Sequence, residues 1–496
     1  MSAEARTLSL AALPSLPASV ARPRYDPASV GVGMVHLGLG AFHRAHEAVY
    51  ADDLLARDPR WGICGVSMKT PRAIAPLAAQ DGLYTLLLKD PSATTARVVG
   101  SVRETMFAPA DPRALVRRMA DPRVSVVTLT VTEKGYCHDP ASGRLDLAHP
   151  DIRHDLAHPG EPVSAVGFVS AALDERRRAG AGGLNVVCCD NLPHNGRVLE
   201  GLVATFAAAR SQELADWIGA HAAFPCTMVD RIVPATTDAD LADVAARLGV
   251  RDAAPVVAEP WIQWVIEDRF VVGRPAWEEA GAEIAADVAP YETMKLRLLN
   301  GSHSTLAYLG FLAGHATIAQ AALDPLLGRL VERQMAEEIV PTLANPPGTD
   351  LARYCATLLR RFRNPALPHR TAQVAMDGSQ KLPQRLLATV RDRLAGGGSI
   401  HHLALAVAGW MRYASGVDER GARIEVSDPL AGRYAEIAAR ANGDPAALAR
   451  GFLGIAAIFG DDLPAKPAFA GAVTRHLDAL VRGGVAATLA GHLAHG

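Results

Sequence analysis

An α/β N-terminal domain on a parallel-core sheet, followed by an all-α C-terminal domain, is the fold the sequence predicts, and three observations carry it. Short continuous apolar or β-branched runs alternate with alanine-rich helical stretches up to about residue 286. Two closely spaced glycines follow the first of those runs. Beyond residue 286 the runs give way to segments of helical spacing divided by breakers. This places the domains at 1–285 and 286–496.

Taken in order, residues 1–27 carry prolines at 14, 17, 23 and 27, which discourage a long helix and leave an irregular lead-in. The segment lacks a basic start followed by an uninterrupted apolar core, so it is a poor secretion signal. Strands are expected at 34–37, 62–66, 124–131 and 184–189. Their apolarity is continuous rather than alternating, which suits strands covered on both faces by crossover helices. A helix is expected at 44–56. In the second domain, helices are expected at 294–323, 325–340, 350–362, 383–395 and 400–413. Asp324 and Asp350 are placed as N-caps, and Pro325 and Pro383 as first-turn prolines.

Composition narrows the function. Of 496 residues, 49% are apolar and 21% charged, and the formal net charge is −2, so there is no electrostatic footprint for nucleic acid or an anionic membrane. The unbroken apolar run Leu403–Met411 is far below the ~20 residues a bilayer requires. Six cysteines without a C-x-x-C pair read as free thiols of a reducing compartment, and a cytoplasmic location is expected. No zinc-binding spacing is present, so no metal is expected. Oligomeric state is left open, and a monomer satisfies the sequence. Only six of the 50 basic residues are lysines: Lys69, Lys89, Lys134, Lys295, Lys381 and Lys466. Base composition accounts for most of that bias. Lysine, unlike arginine, can still give up a proton, so these positions repay inspection.

Val35-His-Leu-Gly-Leu-Gly-Ala-Phe-His43 sets Gly38 and Gly40 between a strand and a helix, where a dinucleotide-binding turn sits. The third glycine of G-x-G-x-x-G is His43 here, and a strand–helix turn without a ligand is the plain alternative. After the second strand, Val66-Ser-Met-Lys-Thr-Pro71 holds no carboxylate for a ribose 2′-hydroxyl. Ser67 could bond the ribose and Lys69 could meet a 2′-phosphate, so the residues leave NAD and NADP both open.

The strongest chemistry lies in Pro290-Tyr-Glu-Thr-Met-Lys-Leu-Arg-Leu-Leu-Asn-Gly-Ser-His303. At ~100° per residue, Lys295, Asn300 and His303 fall at roughly 0°, 140° and 80° on one helix face. A lysine, an amide and an imidazole there can exchange a proton, donate to an oxyanion and orient a substrate. Gly301 costs ~1 kcal/mol in a helix, which a close backbone approach would justify. A solvated helix ending on a capping Asn-Gly is the competing account. In Cys189-Asp-Asn-Leu-Pro-His-Asn-Gly196, Asn191 follows a strand's carboxyl end, where ligands bind, although an ordinary loop turn reads the same. Thr132-Glu-Lys-Gly-Tyr136 and Met228-Val-Asp-Arg-Ile232 hold similar loop positions, and Asp230 and Arg231 could simply pair. Tyr291 and Lys295 form the Y-x-x-x-K of short-chain dehydrogenases. Chain length, the glycine pattern and Pro290 at the helix start all oppose that assignment.

K-x-x-x-x-N-x-x-H together with G-x-G-A-F-H-R-A-H and C-D-N-L resembles the polyol-specific long-chain dehydrogenase/reductase (mannitol dehydrogenase) family, over nearly the whole chain. The resemblance implies a Rossmann-type N-terminal domain, a helical C-terminal domain and metal-independent hydride transfer with NAD. It makes Lys295 the general acid/base, Asn191 and Asn300 the oxyanion donors, His303 the group orienting the ketone, and Glu292 a proton relay to solvent. Asp230 and Lys381 match positions around the polyol chain. The cofactor site it implies comprises Gly38, Gly40, Ala41, Phe42, Ser67, Lys69, Thr132 and Glu133. Thr130–Cys137, Phe224–Pro234 and Ala375–Arg385 resemble the fructuronate reductase branch, with Lys134 and Gln373 where mannitol dehydrogenases tend to carry Gly and Arg. A hexuronate carries a carboxylate that must meet a cation in a partly dry site. Lys134 with Arg370 is expected to supply it, unless Lys134 is only a solvated loop residue. The expected partner is a small hexuronate or polyol. Mannitol or arabinitol 2-dehydrogenase, and a non-catalytic nucleotide-binding regulator, are the alternatives.

Overall fold

The computed structural model describes residues 6–139 and 143–494. The chain divides into two compact units, Met1–Ala289 and Pro290–Gly496. Among the described residues the first unit holds β1 (Val32–Leu37), β2 (Gly62–Ser67), β3 (Tyr84–Lys89), β4 (Thr94–Val99), β5 (Val102–Phe107), β6 (Val126–Leu129), β7 (Leu184–Cys188), β8 (Ala222–Ala223), β9 (Thr227–Asp230), β10 (Val256–Ala258), β11 (Gln263–Glu267) and β12 (Glu283–Ala285).

Six of these form a sheet in the order β5-β2-β1-β6-β7-β8, parallel throughout. With the β3–β4 hairpin set aside as an excursion, this is the 3-2-1-4-5-6 order of a dinucleotide-binding fold, with its reversal between β1 and β6. The reason the central strands are continuously apolar is visible in their packing. Val35, Cys64, Val127 and Val186 enter one core with Phe168, Leu199 and Phe206. Their neighbours Met34, Ile63, Val126 and Val187 enter another with Tyr50, Trp264 and Trp277. Successive side chains point to opposite faces and both faces are dry, so the few polar residues inside these strands, His36, Thr128 and Asn185, are buried and hydrogen-bonded.

The four expected strands are present: β1 and β2 run slightly longer than expected, and β6 and β7 are shorter. β3, β4, β5 and β8–β12 were outside the expectation. β5 is a sheet edge whose residues are mostly half-buried and shows no continuous run, whereas β3 carries Leu86-Leu87-Leu88 and is buried over its first four residues, a signal of the same kind as that of the central strands. The helix expected at 44–56 is instead two, Ala41–Ala45 and Glu47–Leu54, divided at His46, whose backbone is non-helical (φ −127°, ψ −93°).

The second unit is helical. Helices Ser302–Leu312 and His401–Ala414 are buried on nearly every side and form its centre. Asp324 caps the helix Pro325–Arg333 by accepting from Leu326 and Leu327 N–H, and Asp350 caps Leu351–Phe362 through Arg353 N–H. Pro325 stands in a first turn as expected. Pro383 does not: it lies inside a continuous helical run, Gly378–Ala395, and opens a π-wound segment, Pro383–Leu387. A proline has no N–H to give, so the helix widens there instead of starting. Two further segments, Lys295–Gly301 and Gln334–Ile339, are wound the same way. Among the described residues, no helix is long and apolar enough to cross a membrane.

Candidate active site

The first unit gathers its candidate residues at the carboxyl ends of adjacent parallel strands. Gly38 follows β1 with φ +97°, and a Cβ there would stand 2.2 Å from the Thr130 carbonyl, so only glycine fits. Gly40 differs. Its φ of −112° is ordinary, and a Cβ would meet nothing closer than the Gly38 carbonyl at 3.7 Å. The chain itself does not require glycine at 40, and the space beside it is what an approaching pyrophosphate would use. Ala41 and Phe42 begin the helix Ala41–Ala45 that follows.

Beneath this turn, His36 joins β1 to β6 at the reversal point. Thr130 Oγ1 donates to the Gly38 carbonyl (3.0 Å), so it accepts from His36 Nε2–H (2.9 Å). The bare Nδ1 then accepts from the Thr128 hydroxyl (2.7 Å). His43, the residue in the third-glycine position, stacks on His36 at 3.4 Å between ring centres. Burial holds His36 well below the ordinary imidazole range and lowers His43 to about 3. Neutral rings therefore fill the floor of the turn. The polar residue inside an otherwise apolar strand was the available signal for His36.

At the end of β2, Ser67 is buried and its hydroxyl donates to the Thr70 carbonyl. Only its oxygen lone pairs are left for a ribose. Lys69 is exposed two residues further on. After β6, the loop carrying Thr132, Glu133 and Lys134 is held by Asp190, a residue to which sequence reasoning assigned no role. Its carboxylate accepts from Val131 N–H (2.9 Å), Thr132 N–H (3.0 Å) and the Tyr136 hydroxyl (2.5 Å). Thr132 is thereby kept at φ +68°, ψ 159°, a conformation normally left to glycine. Glu133 and Lys134 are exposed on the short 3-10 turn Glu133–Tyr136.

Asn191, next to Asp190, is exposed after β7. The following Asn195 is structural. Its side chain bonds the backbone of Thr227 in both directions and the Asp190 carbonyl, tying the end of β7 to β9. Asp230 ends β9, buried, and accepts from Trp261 Nε1 (3.0 Å). Arg231 does not turn to it. Its guanidinium donates to the carbonyls of Glu259 and Ala45 instead.

In the second unit, Lys295, Asn300 and His303 are 9%, 6% and 8% exposed, so a solvated helix face is excluded. The helix is not α-wound where it matters. Lys295–Gly301 bonds i to i+5, which lowers the twist to roughly 80° per residue and draws Asn300 to within ~40° of Lys295 instead of ~140°. The arc expected from α-geometry is therefore too wide, and the observed turn sets the three groups closer together. Gly301 is where this turn meets the π-wound segment Pro383–Leu387: a Cβ would lie 2.7 Å from the Arg385 carbonyl.

His303 sits against Phe362 (ring centres 5.5 Å apart, near parallel) and edge-on to His369 (4.9 Å). Burial first, then repulsion from His369, Arg385, Arg361 and Lys381, pushes its pKa well below the usual range, so it is neutral. Its Nε2 has no hydrogen-bond partner among the described residues. Lys381, on the helix Gly378–Leu382, donates to the carbonyls of Val374 (3.3 Å) and Met376 (2.5 Å). Arg370 and Gln373 are exposed beside His369 at the short helix Thr371–Val374, and Glu292 is half-buried on Ala289–Met294, three residues before Lys295. Phe362, His369 and Arg385 escaped the sequence reading because they reach His303 only through folding.

Family sequence models match both units: the mannitol dehydrogenase Rossmann domain over residues 32–279 and the mannitol dehydrogenase C-terminal domain over 287–481. The chain is 49% identical to D-mannonate oxidoreductase of Escherichia coli, over 92% of this chain and 94% of that one. It is 39% identical to mannitol 2-dehydrogenase of Phaeosphaeria nodorum, over 95% of this chain and 83% of the other. Among solved structures, Pseudomonas fluorescens mannitol 2-dehydrogenase in a ternary complex with NAD and D-mannitol superposes with a TM-score of 0.89. That match has 41% identity and covers 99% of this chain and 100% of the other.

Proposed function

The chain belongs to the mannitol dehydrogenase family, and on that premise we propose that it is an NAD(H)-dependent fructuronate reductase, that is, a D-mannonate oxidoreductase. It is a dehydrogenase acting on CH–OH groups. The observation that carries the mechanistic reading is the burial of Lys295, Asn300 and His303 on one π-wound turn and its continuation. The choice of hexuronate over hexitol rests on the 49% identity to a D-mannonate oxidoreductase, against 39% and 41% to the two mannitol 2-dehydrogenases.

The glycine turn fits a dinucleotide pyrophosphate, with Gly38 in a conformation closed to side chains and open space at Gly40. Gly38, Gly40, Ala41, Phe42, Ser67, Lys69, Thr132 and Glu133 would hold the cofactor. When bound, NAD(H) supplies or takes the hydride. In reduction, Asn191 and Asn300 donate amide N–H groups to the C5 oxygen as its charge grows. Lys295, as the ammonium, delivers a proton to that oxygen, and in oxidation the neutral amine takes it back. Neutral His303 offers Nε2 to the substrate and keeps the carbonyl in register. Glu292 returns the proton to solvent. Lys134 and Arg370, both exposed cations, meet the carboxylate, while Asp230, Lys381 and Gln373 line the hydroxyl chain.

The deciding assay follows NADH and NADPH oxidation with fructuronate, tagaturonate and fructose side by side. NADH with fructuronate is expected to be fastest. Preferential turnover of fructose would replace this reading with a mannitol 2-dehydrogenase, and NADH binding without turnover of any ketose would point to a regulator. Lys295→Ala is expected to lower kcat by ~10²–10⁴-fold while NADH still binds. Loss of NADH binding together with activity would mean a structural lysine.

A further inference from the structure

Helix His401–Ala414 packs along the last helix, Pro467–Ala494. The first opens on His401 and His402. The second carries His476 and His492 on opposite sides of a break at Gly484, where the backbone turns to φ +72°, ψ 176°. Nitrogens of His401, His476 and His492 all lie within 4.8 Å of one another. The rings of His401 and His492 stack at 3.8 Å, and His476 stands 5.1 Å and 5.2 Å from them, centre to centre.

A hydrogen-bond chain behind this cluster fixes the tautomers. Glu337, whose pKa is lowered first by its bond to Arg333, is a carboxylate and can only accept. His402 Nε2, 3.1 Å from Glu337 Oε2, therefore carries the proton. Burial keeps His402 neutral, so its Nδ1 is bare and must accept from His492 Nε2–H, 2.8 Å away. His492 is left with its lone pair on Nδ1. That atom is buried, on a residue 6% exposed, and has no hydrogen-bond partner among the described residues. A buried acceptor with nothing to accept costs stability, and the cost is removed if a ligand takes it.

We propose that His401, His476 and His492 bind one divalent transition-metal ion of the zinc class, with His402 and Glu337 as the outer shell that orients His492. The carboxylate–histidine support behind a ligating imidazole is the usual second layer of such sites. Three imidazoles without a carboxylate among them suit Zn²⁺, Co²⁺ or Ni²⁺ over Ca²⁺ or Mg²⁺. Burial, then repulsion between the rings, lowers His476 to about 4 and His492 to about 3, so both lone pairs stay unprotonated at neutral pH. Zn–N bonds of ~2.0–2.1 Å would draw the nitrogens to ~3.3 Å, so His401 must turn off its stack by about an ångström. His401 and His476 are half-exposed, which leaves an entry path and room for a water as fourth ligand. The cations facing the cluster are Arg333, which Glu337 neutralises at 2.7 Å, and Arg475. One ion would tie the start of His401–Ala414 to both halves of the last helix across the Gly484 break. The role is that of a staple, independent of the dehydrogenase reaction, because none of these residues is assigned to it.

The test uses untagged full-length protein stripped with a chelator and titrated with Zn²⁺ by calorimetry and with Co²⁺ by absorption. One equivalent is expected to bind, with the intense visible bands of four-coordinate Co²⁺ and a Tm raised by several degrees. His476→Gln and His492→Gln are expected to lose that equivalent and the Tm rise while keeping the metal-free Tm and the activity of the parent. Absence of stoichiometric binding tighter than ~10 μM would overturn the proposal, as would binding that survives His476→Gln. Should His492→Gln fail to fold, the half-exposed His476 still decides the matter.

Discussion

Two glycines two residues apart do different work, and the difference is testable one residue at a time. Gly38 is demanded by the fold, through its positive φ and the Thr130 carbonyl beside it. Gly40 is not, since a Cβ there meets only open space. Gly40→Ala is therefore expected to fold normally, with a Tm within ~1–2 °C of the parent, yet to raise the KM for NADH at least about tenfold. Thermal melts and initial rates would check both halves. An unchanged KM would show that the cofactor does not pass over residue 40. At this scale the sequence was informative where chemistry and local spacing coincide, as in Lys295, Asn300 and His303. Asp190 was hidden in plain view between Cys189 and Asn191, because its importance lies in three bonds to a loop some sixty residues earlier. Ser67 shows the reverse: a hydroxyl at the right address whose proton is already committed to Thr70.

Elements were legible where their apolar pattern was unambiguous and misread where the backbone departed from a regular period. The four central strands announced themselves because both faces are dry. The edge strand β5 did not, being half-wetted, while β3 carried a buried Leu86-Leu87 in a segment too short to tell strand from helix. Nothing in residue spacing distinguishes an α-turn from a π-turn in advance, so the arc through Lys295, Asn300 and His303 was drawn too wide. The histidines at 401, 476 and 492 belong to no local motif, and only the packing of two helices, with the break at Gly484, assembles them. The contact between the two π-wound segments can be probed through Gly301. A methyl at that position would press on the Arg385 carbonyl at 2.7 Å, and Gly301→Ala is expected to cost about 1–3 kcal/mol despite alanine's better helix propensity. Urea unfolding measures this. A stabilised variant would show that the two segments can part without penalty. Because Asn300 precedes the glycine directly, kcat is expected to fall more than KM rises.

For the whole molecule, the protonation of buried imidazoles sets the acid limit of stability. His43 is lowered to about 3, and His36, His46 and His303 are also shifted down, each chiefly by burial. Their unfolded counterparts titrate near 6.5. Below that pH the unfolded chain binds protons that the folded chain refuses, so stability is complete above ~6.5 and declines as pH falls towards the folded values. Each such group is worth about 1.4 kcal/mol per pH unit in that window. Asp52, Asp190 and Glu338, raised by burial, take up protons in the folded state and offset part of the loss. Urea midpoints are expected to change little between pH 7.5 and 6.5 and to fall clearly between 6.5 and 5.5, less steeply in His43→Gln. A flat profile across that range would contradict the assignment of neutral rings beneath the glycine turn. The broad plan, a parallel α/β unit followed by a helical one, was readable from composition shifts and the glycine turn alone. The interior network of imidazoles was not, since a histidine's neighbours across a sheet leave no mark in its own stretch of chain.

The winding of Lys295–Gly301 also bears on how such a site tolerates change over time. A π-turn is a helix carrying one residue more than its contour needs. The surplus residue can be released without turning the face: five residues at ~80° and four at ~100° both carry the Asn300 position about 40° past Lys295. Loss of one residue with a return to the tighter coil would therefore leave lysine, amide and imidazole on one side. Loss of one with the wide winding kept would swing Asn300 and His303 back by ~80°. The reacting groups are kept in company by a match of winding and count, and not by the identity of the residues that fill the gap.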